Sequence, residues 1–79
     1  MDLQDRLREV FIQALALPED TDVTSLKYRD VEEWDSVGHM ALVAAIEDEF
    51  DVQFGTDQVI DMSSFEVALD MLRMMGASA

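Results

Sequence analysis

Trp34-Asp35-Ser36-Val37-Gly38-His39-Met40-Ala41-Leu42-Val43-Ala44-Ala45-Ile46-Glu47-Asp48-Glu49-Phe50 is the stretch on which the fold turns. A polar loop gives way here to a helix running from about Ser36 to Phe50. The first turn of a helix leaves backbone N–H groups without partners. A short side-chain oxygen, on Asp35 or on Ser36, can accept from one of them. Placed at about 100° per residue, the apolar residues of this helix fall on two stripes rather than one. Leu42, Val43, Ile46 and Phe50 form the first. Val37, Met40, Ala41 and Ala44 form the second, on nearly the opposite side, with Glu47 and Asp48 flanking it. One stripe can face a core; the other needs a second burial site, inside the protein or on a partner.

Outward from this helix the pattern stays helical. Leu3, Leu7, Val10, Ala14 and Leu17 recur at spacings of four and three, with Phe11 beside them. They predict a first helix over Leu3–Leu17 with Asp2 as its cap and Ile12 exposed off the stripe. Pro18 cannot continue a helix and closes it. The loop that follows, to Asp35, is long for so short a chain, and Leu26, Tyr28, Val31 and Trp34 are its expected anchors. A short helical turn is expected over Ser25–Val31. Asp51–Thr56 reads as a turn. Asp57–Met62 reads as a short helix bringing Val59, Ile60 and Met62 inward. Ser63 and Glu66 have the spacing of a capping box for a last helix over Ser64–Met75, which Gly76 ends. The sum is one domain, residues 1–79, of all-α class. It is a small bundle of three main helices and one short one, with a long loop between the first and second.

Composition narrows the function classes. The 79 residues carry a net charge of −13 and are 49% hydrophobic, too apolar for an acidic disordered chain. Such a surface repels nucleic acid and anionic membranes and attracts basic partners. No apolar run approaches the roughly 20 residues that span a bilayer, so no membrane insertion is expected. Asp2, Asp5 and Glu9 interrupt any signal-like start, and a cytoplasmic protein is the expectation. There is no cysteine and one histidine, His39. Thiolate catalysis, zinc–sulfur sites and multi-histidine metal sites are excluded, and no metal site is expected. The acidic segment Glu19-Asp20-Thr21-Asp22 lacks the glycine and terminal glutamate of a calcium-binding EF-hand loop.

Ser36 is the candidate site. A helix N-terminus favours a phosphate through its free N–H groups and its dipole, so a phosphodiester attached to Ser36 would be stabilised there. At this point the chain resembles the acyl carrier protein family. That family's motif is Asp-Ser followed by an apolar residue at the start of the second helix. The resemblance covers nearly the whole chain and is densest in WDSVGHMALVAAIEDEFDVQF, residues 34–54. It implies an acyl-carrier-like bundle in which Ser36 accepts 4′-phosphopantetheine from coenzyme A, through a separate phosphopantetheinyl transferase whose magnesium Asp35 helps to hold. The arm's thiol would then carry an acyl group as a thioester, and the carrier itself would catalyse nothing. Ser25, Ser63, Ser64 and Ser78 lack this context.

Position for position, Val37, Met40, Ala44, Glu47 and Asp48 match the family's partner-recognition helix, with Ala41 on the same stripe. The resemblance therefore implies docking of acyl-loading and acyl-processing enzymes that carry basic patches. The chain departs from the familiar fatty-acid carriers at Gly38 and Ala41, where those usually have acidic residues. Met1 close to the first helix and the short tail after the last fit a free-standing, monomeric carrier of a dissociated fatty-acid, polyketide or specialised lipid pathway. The alternatives are a D-alanyl or other amino-acyl carrier, or an unmodified interaction module of the same fold. His39 is expected to make a structural hydrogen bond to the preceding loop, and Trp34 to anchor that loop. Met62, Met71, Met74 and Met75 are expected in the core, or in part around a pliable acyl pocket.

Overall fold

The computed structural model describes residues 2–77. Asp2 caps α1 (Leu3–Ala14) by accepting from the Asp5 N–H at 2.8 Å. The helix stops at Ala14, short of the expected Leu17. Ala16 adopts a left-handed conformation (φ 54°), the Leu17 N–H bonds the Ile12 carbonyl at 2.9 Å, and the Ala16 N–H bonds that of Gln13. This pair of bonds is the Schellman C-terminus, built here on alanine rather than glycine. The reason lies in the side chains. Leu15 and Leu17 are both buried, yet two residues apart on a continuing helix they would point about 200° apart. The reversal at Ala16 turns both inward before Pro18 is reached.

Ile12 is also buried, at 3% exposure, against the expectation that it faces solvent. Three elements pack on α1: the second helix, the last helix and a 3₁₀ turn at Val23–Ser25. Its covered arc is wider than one stripe for that reason. The Asp22 carboxylate opens the 3₁₀ turn by accepting from the Thr24 N–H at 3.2 Å and its hydroxyl at 2.6 Å. These bonds hold the Asp22 carboxyl below its ordinary value. The helical part of the loop thus lies before the expected Ser25–Val31 and brings in Val23, fully buried. Leu26 and Trp34 are the loop's core anchors, Val31 is half-buried, and Tyr28 is exposed rather than an anchor.

The rest of the loop is strapped to the far end of the chain. The Tyr28 N–H donates to the Ser63 carbonyl at 2.9 Å and the Phe65 N–H to the Leu26 carbonyl at 3.0 Å, around an isolated bridge between Lys27 and Ser64. No strand forms among the described residues. Trp34 meets Phe11 edge-on at 5.3 Å between centroids, and Phe11 meets Phe65 at 5.0 Å. The loop, α1 and the last helix share one aromatic core.

The second helix, α2, spans Ser36–Phe50 as expected and buries Leu42, Val43 and Ile46. Phe50 is half-buried beneath the Arg6 guanidinium, which also bonds the Glu49 carboxylate at 3.1 Å and the Glu49 carbonyl at 3.2 Å. A cation from α1 thereby sits at the negative end of α2. The short α3 (Thr56–Asp61) begins one residue earlier than expected, with the Gly55 N–H bonded to the Gln58 side chain at 2.8 Å. Met62 is buried and Val59 half-buried, but Ile60 is 72% exposed rather than inward. Val59 and Met62, three apart, share a face, and Ile60 lies about 100° off it.

The last helix, α4, spans Phe65–Met74. Its cap is Ser64, whose hydroxyl accepts from the Val67 N–H at 3.1 Å, and not the expected Ser63. The strap explains the choice, because its bridge keeps the chain extended through Ser64, so the helix begins one residue later than a Ser63 cap would allow. Phe65, Ala68, Leu69 and Leu72 are buried, Met71 and Met75 are half-buried, and Met74 is exposed rather than core. Gly76 (φ 81°) closes α4 with a second Schellman pair, Ala77 to Leu72 and Gly76 to Arg73. The fold is the expected all-α bundle of three longer helices and a short one, with the long loop between α1 and α2. No helix among the described residues is long and apolar enough to cross a membrane.

Candidate functional site

Ser36 is the first residue of α2 and is exposed. Of the two possible caps, Asp35 serves: its Oδ1 accepts from the Gly38 N–H at 2.8 Å. The Ser36 hydroxyl is therefore not consumed by the helix end. It lies 3.5 Å from the Tyr28 hydroxyl, a long hydrogen bond in which either oxygen could donate.

Gly38 explains how the loop comes so close. A Cβ on this residue would lie 2.0 Å from the Glu33 carbonyl oxygen and 3.3 Å from Leu15 Cδ2. The loop backbone presses directly on the first turn of α2, and only a residue without a side chain admits it. The glycine at this position therefore has a steric cause.

His39 fixes the floor beside Ser36. The Trp34 Nε1–H donates to His39 Nδ1 at 2.9 Å. Indole nitrogen can only donate, so Nδ1 accepts and the ring proton sits on Nε2, which donates to the Val59 carbonyl at 2.8 Å. The expected bond to the preceding loop is present, and a second one ties in α3. With both ring nitrogens committed, His39 is not offered to Ser36 as a base.

Between these elements lies a mostly apolar groove of about 390 Å³. Tyr28, His39, Met40, Val59, Ile60 and Met62 line it, with Ser36 and Ser63 contributing to its wall. Ile60 and Tyr28 are the lining residues that sequence reasoning placed elsewhere, as core and as anchor. Of Met62, Met71, Met74 and Met75, the methionines expected in the core or around an acyl pocket, Met62 lies at this groove, together with Met40 from α2.

The local charges differ from those of the rest of the chain. The Ser36 hydroxyl and the Arg29 guanidinium beside it hold the Tyr28 phenol below its ordinary value, and the contact with Tyr28 raises Arg29 in turn. The guanidinium lies 5.6 Å from the centre of the Tyr28 ring. Asp35 acts on both, so all four side chains share one neighbourhood.

The second stripe of α2 is open. Val37 is 79% exposed and Met40 59%, and Ala41, Ala44 and Asp48 are also exposed. Glu47 is not a free rim charge. It is half-buried, and its carboxylate accepts from the Phe54 N–H at 2.8 Å, which fixes the turn after α2. Glu47 stands eleven residues beyond Ser36, about 16 Å along the axis at 1.5 Å per residue, so Asp48 and Glu47 lie at the far end of this face. Ser64 opens α4 but its hydroxyl is taken up as the cap, Ser63 lines the same groove without opening a helix, and Ser25 ends the 3₁₀ turn; Ser78 lies outside the described residues. No protein-family model matches the chain.

Proposed function

We propose that this chain is an acyl carrier. On this reading Ser36 receives 4′-phosphopantetheine from coenzyme A through a separate phosphopantetheinyl transferase. When attached, the group supplies the thiol that the cysteine-free chain lacks, and that thiol carries acyl intermediates as thioesters. The observation that carries the reading is the exposed Ser36 hydroxyl, left out of the helix cap because Asp35 does the capping, beside an apolar groove.

The residues present fit such a group. A phosphodiester on Ser36 would lie at a helix N-terminus, with a phenol and a guanidinium nearby. The adjoining groove suits an acyl chain better than a small polar aminoacyl group, which favours a fatty-acid, polyketide or specialised lipid pathway over a D-alanyl carrier. Asp35 would present its carboxylate to the transferase's magnesium. Val37, Met40, Ala41 and Ala44 would form an apolar docking face for acyl-loading and acyl-processing enzymes, with Asp48 steering basic patches towards it. His39 serves the scaffold, and the chain itself is no enzyme. The same reading makes it a cytoplasmic monomer.

Intact mass after incubation with coenzyme A and a broad-specificity transferase tests this function. The mass should rise by one phosphopantetheine, and Ser36→Ala should abolish the rise. A wild-type protein that gains nothing, or a Ser36→Ala protein that gains the full increment, rejects it.

A further inference from the structure

We propose that Arg29, with Tyr28, receives the phosphodiester on Ser36 and so sets the direction in which the arm leaves α2; this rests on the carrier reading above. The starting point is a charge problem. A phosphodiester brings one more negative charge to a chain that already carries a net −13, and it arrives beside Asp35. The N-terminus of α2 offsets part of this repulsion, and a nearby cation would offset more.

The chain has only five basic residues, and most are occupied elsewhere. Arg6 pairs with Glu49, Arg8 with Glu9 and the Glu19 carbonyl, and Arg73 with Asp70. The remaining two, Lys27 and Arg29, lie on the loop that leads to Ser36. Arg29 has no carboxylate within ion-pairing distance among the described residues. It rests beside the Tyr28 ring, and the Tyr28 hydroxyl is the group 3.5 Å from Ser36 Oγ.

The backbone presents this pair rigidly. Arg29 is held in the left-handed region (φ 73°) with its N–H on the Trp34 carbonyl at 3.1 Å. Tyr28 is tied to Ser63, and Lys27 and Asp30 bond each other at 2.9 Å through main chain and side chain. Arginine rarely adopts this conformation, and here the surrounding bonds enforce it. Little further ordering would be needed to bring the guanidinium onto an anion.

The chemistry favours an exchange of partners. A guanidinium binds phosphate oxygens through two parallel charge-assisted bonds, stronger than its contact with a neutral phenol. With a phosphodiester on Ser36, Arg29 would turn from Tyr28 to the phosphate, and the Tyr28 hydroxyl would donate to a second phosphate oxygen.

The test uses the full chain, apo and loaded, as wild type, Arg29→Gln and Arg29→Lys. Intact mass comes first: no gain on the wild type rejects the carrier reading itself. On protein that does load, NMR follows the arginine Nε–H signals and the phosphorus resonance of the arm. The Arg29 Nε–H should shift on loading while those of Arg6, Arg8 and Arg73 stay in place. The phosphorus resonance should move in Arg29→Gln and move less in Arg29→Lys. Full loading with an unchanged Arg29 signal, or a phosphorus resonance indifferent to Arg29→Gln, overturns the inference and leaves the carrier reading standing. If Arg29→Gln does not fold, the wild-type Nε–H comparison decides alone.

Discussion

The two faces of α2 are alike in apolar content and opposite in fate. Leu42, Val43 and Ile46 are at most 4% exposed, whereas Val37 and Met40 on the other side are 79% and 59% exposed. The open stripe has smaller side chains at Ala41 and Ala44, and the rest of the chain places less against it. α1 packs on one face and clamps the helix end through Arg6. The other face is met at its N-terminal end by the loop and α3 around the groove beside Ser36, and at its far end by the turn that Glu47 holds through the Phe54 N–H, and lies open between them. An apolar stripe that the fold leaves open is available to a partner, as the proposed docking role requires.

The comparison breaks most readily by truncation. Leu42→Ala leaves a cavity under α1 and should cost about 2–5 kcal/mol. Met40→Ala on the open face should stay within about 0.5 kcal/mol. Denaturant unfolding of the two variants gives both numbers, and equal losses would mean that both faces are core.

Gly38 tests the crowded N-terminal end of the same helix. Alanine is the better helix former by about 1 kcal/mol, but its Cβ meets the Glu33 carbonyl oxygen at 2.0 Å. Overpacking of this kind costs about 1–3 kcal/mol. Gly38→Ala should therefore lower the melting temperature despite the gain in propensity.

Glu47 and Asp48 sharpen the contrast at the far end. Glu47→Lys removes the acceptor of the Phe54 N–H and should cost about 1–3 kcal/mol; Glu47→Gln, which keeps a carbonyl acceptor, should cost less. Asp48→Lys should change stability by no more than about 0.5 kcal/mol. Thermal melts of the three variants separate the anchoring acid from the solvated one.

The smallest effect concerns the ends of the flanking helices. α4 closes on Gly76 and α1 on Ala16, by the same pair of backbone bonds. The left-handed conformation costs a residue with a Cβ about 1–2 kcal/mol, partly offset by the extra freedom glycine brings to the unfolded chain. Ala16→Gly should raise stability by about 0.5–1 kcal/mol, measured by the same denaturant titration.

How far the sequence could be read follows from how local each feature is. The limits of α2 were legible because a short acid, a serine and an apolar period all lie within the segment. So were the burial of Trp34 and the termination at Gly76. Ile12, Ile60 and Met74 were misplaced because periodicity finds faces and does not tell which neighbour covers them. Ser63 has the spacing of a cap, but the bridge keeps the chain extended through Ser64 and leaves the role to that residue. The Glu47 bond to Phe54 and the crowding at Gly38 are meetings of the chain with itself that no residue pattern announces. At the site, Ser36 and Asp35 were legible as a motif. Tyr28 was not, because a loop eight residues back must fold over before its hydroxyl reaches the serine.

On the proposed reading, the open face of α2 serves partners rather than the fold. Met40→Asp tests it most directly, read by circular dichroism and by the rate of phosphopantetheine transfer to Ser36. The helical spectrum and the melting temperature should hold while transfer slows. A Met40→Asp protein that is unfolded, or one that is folded and loads at the wild-type rate, would contradict it.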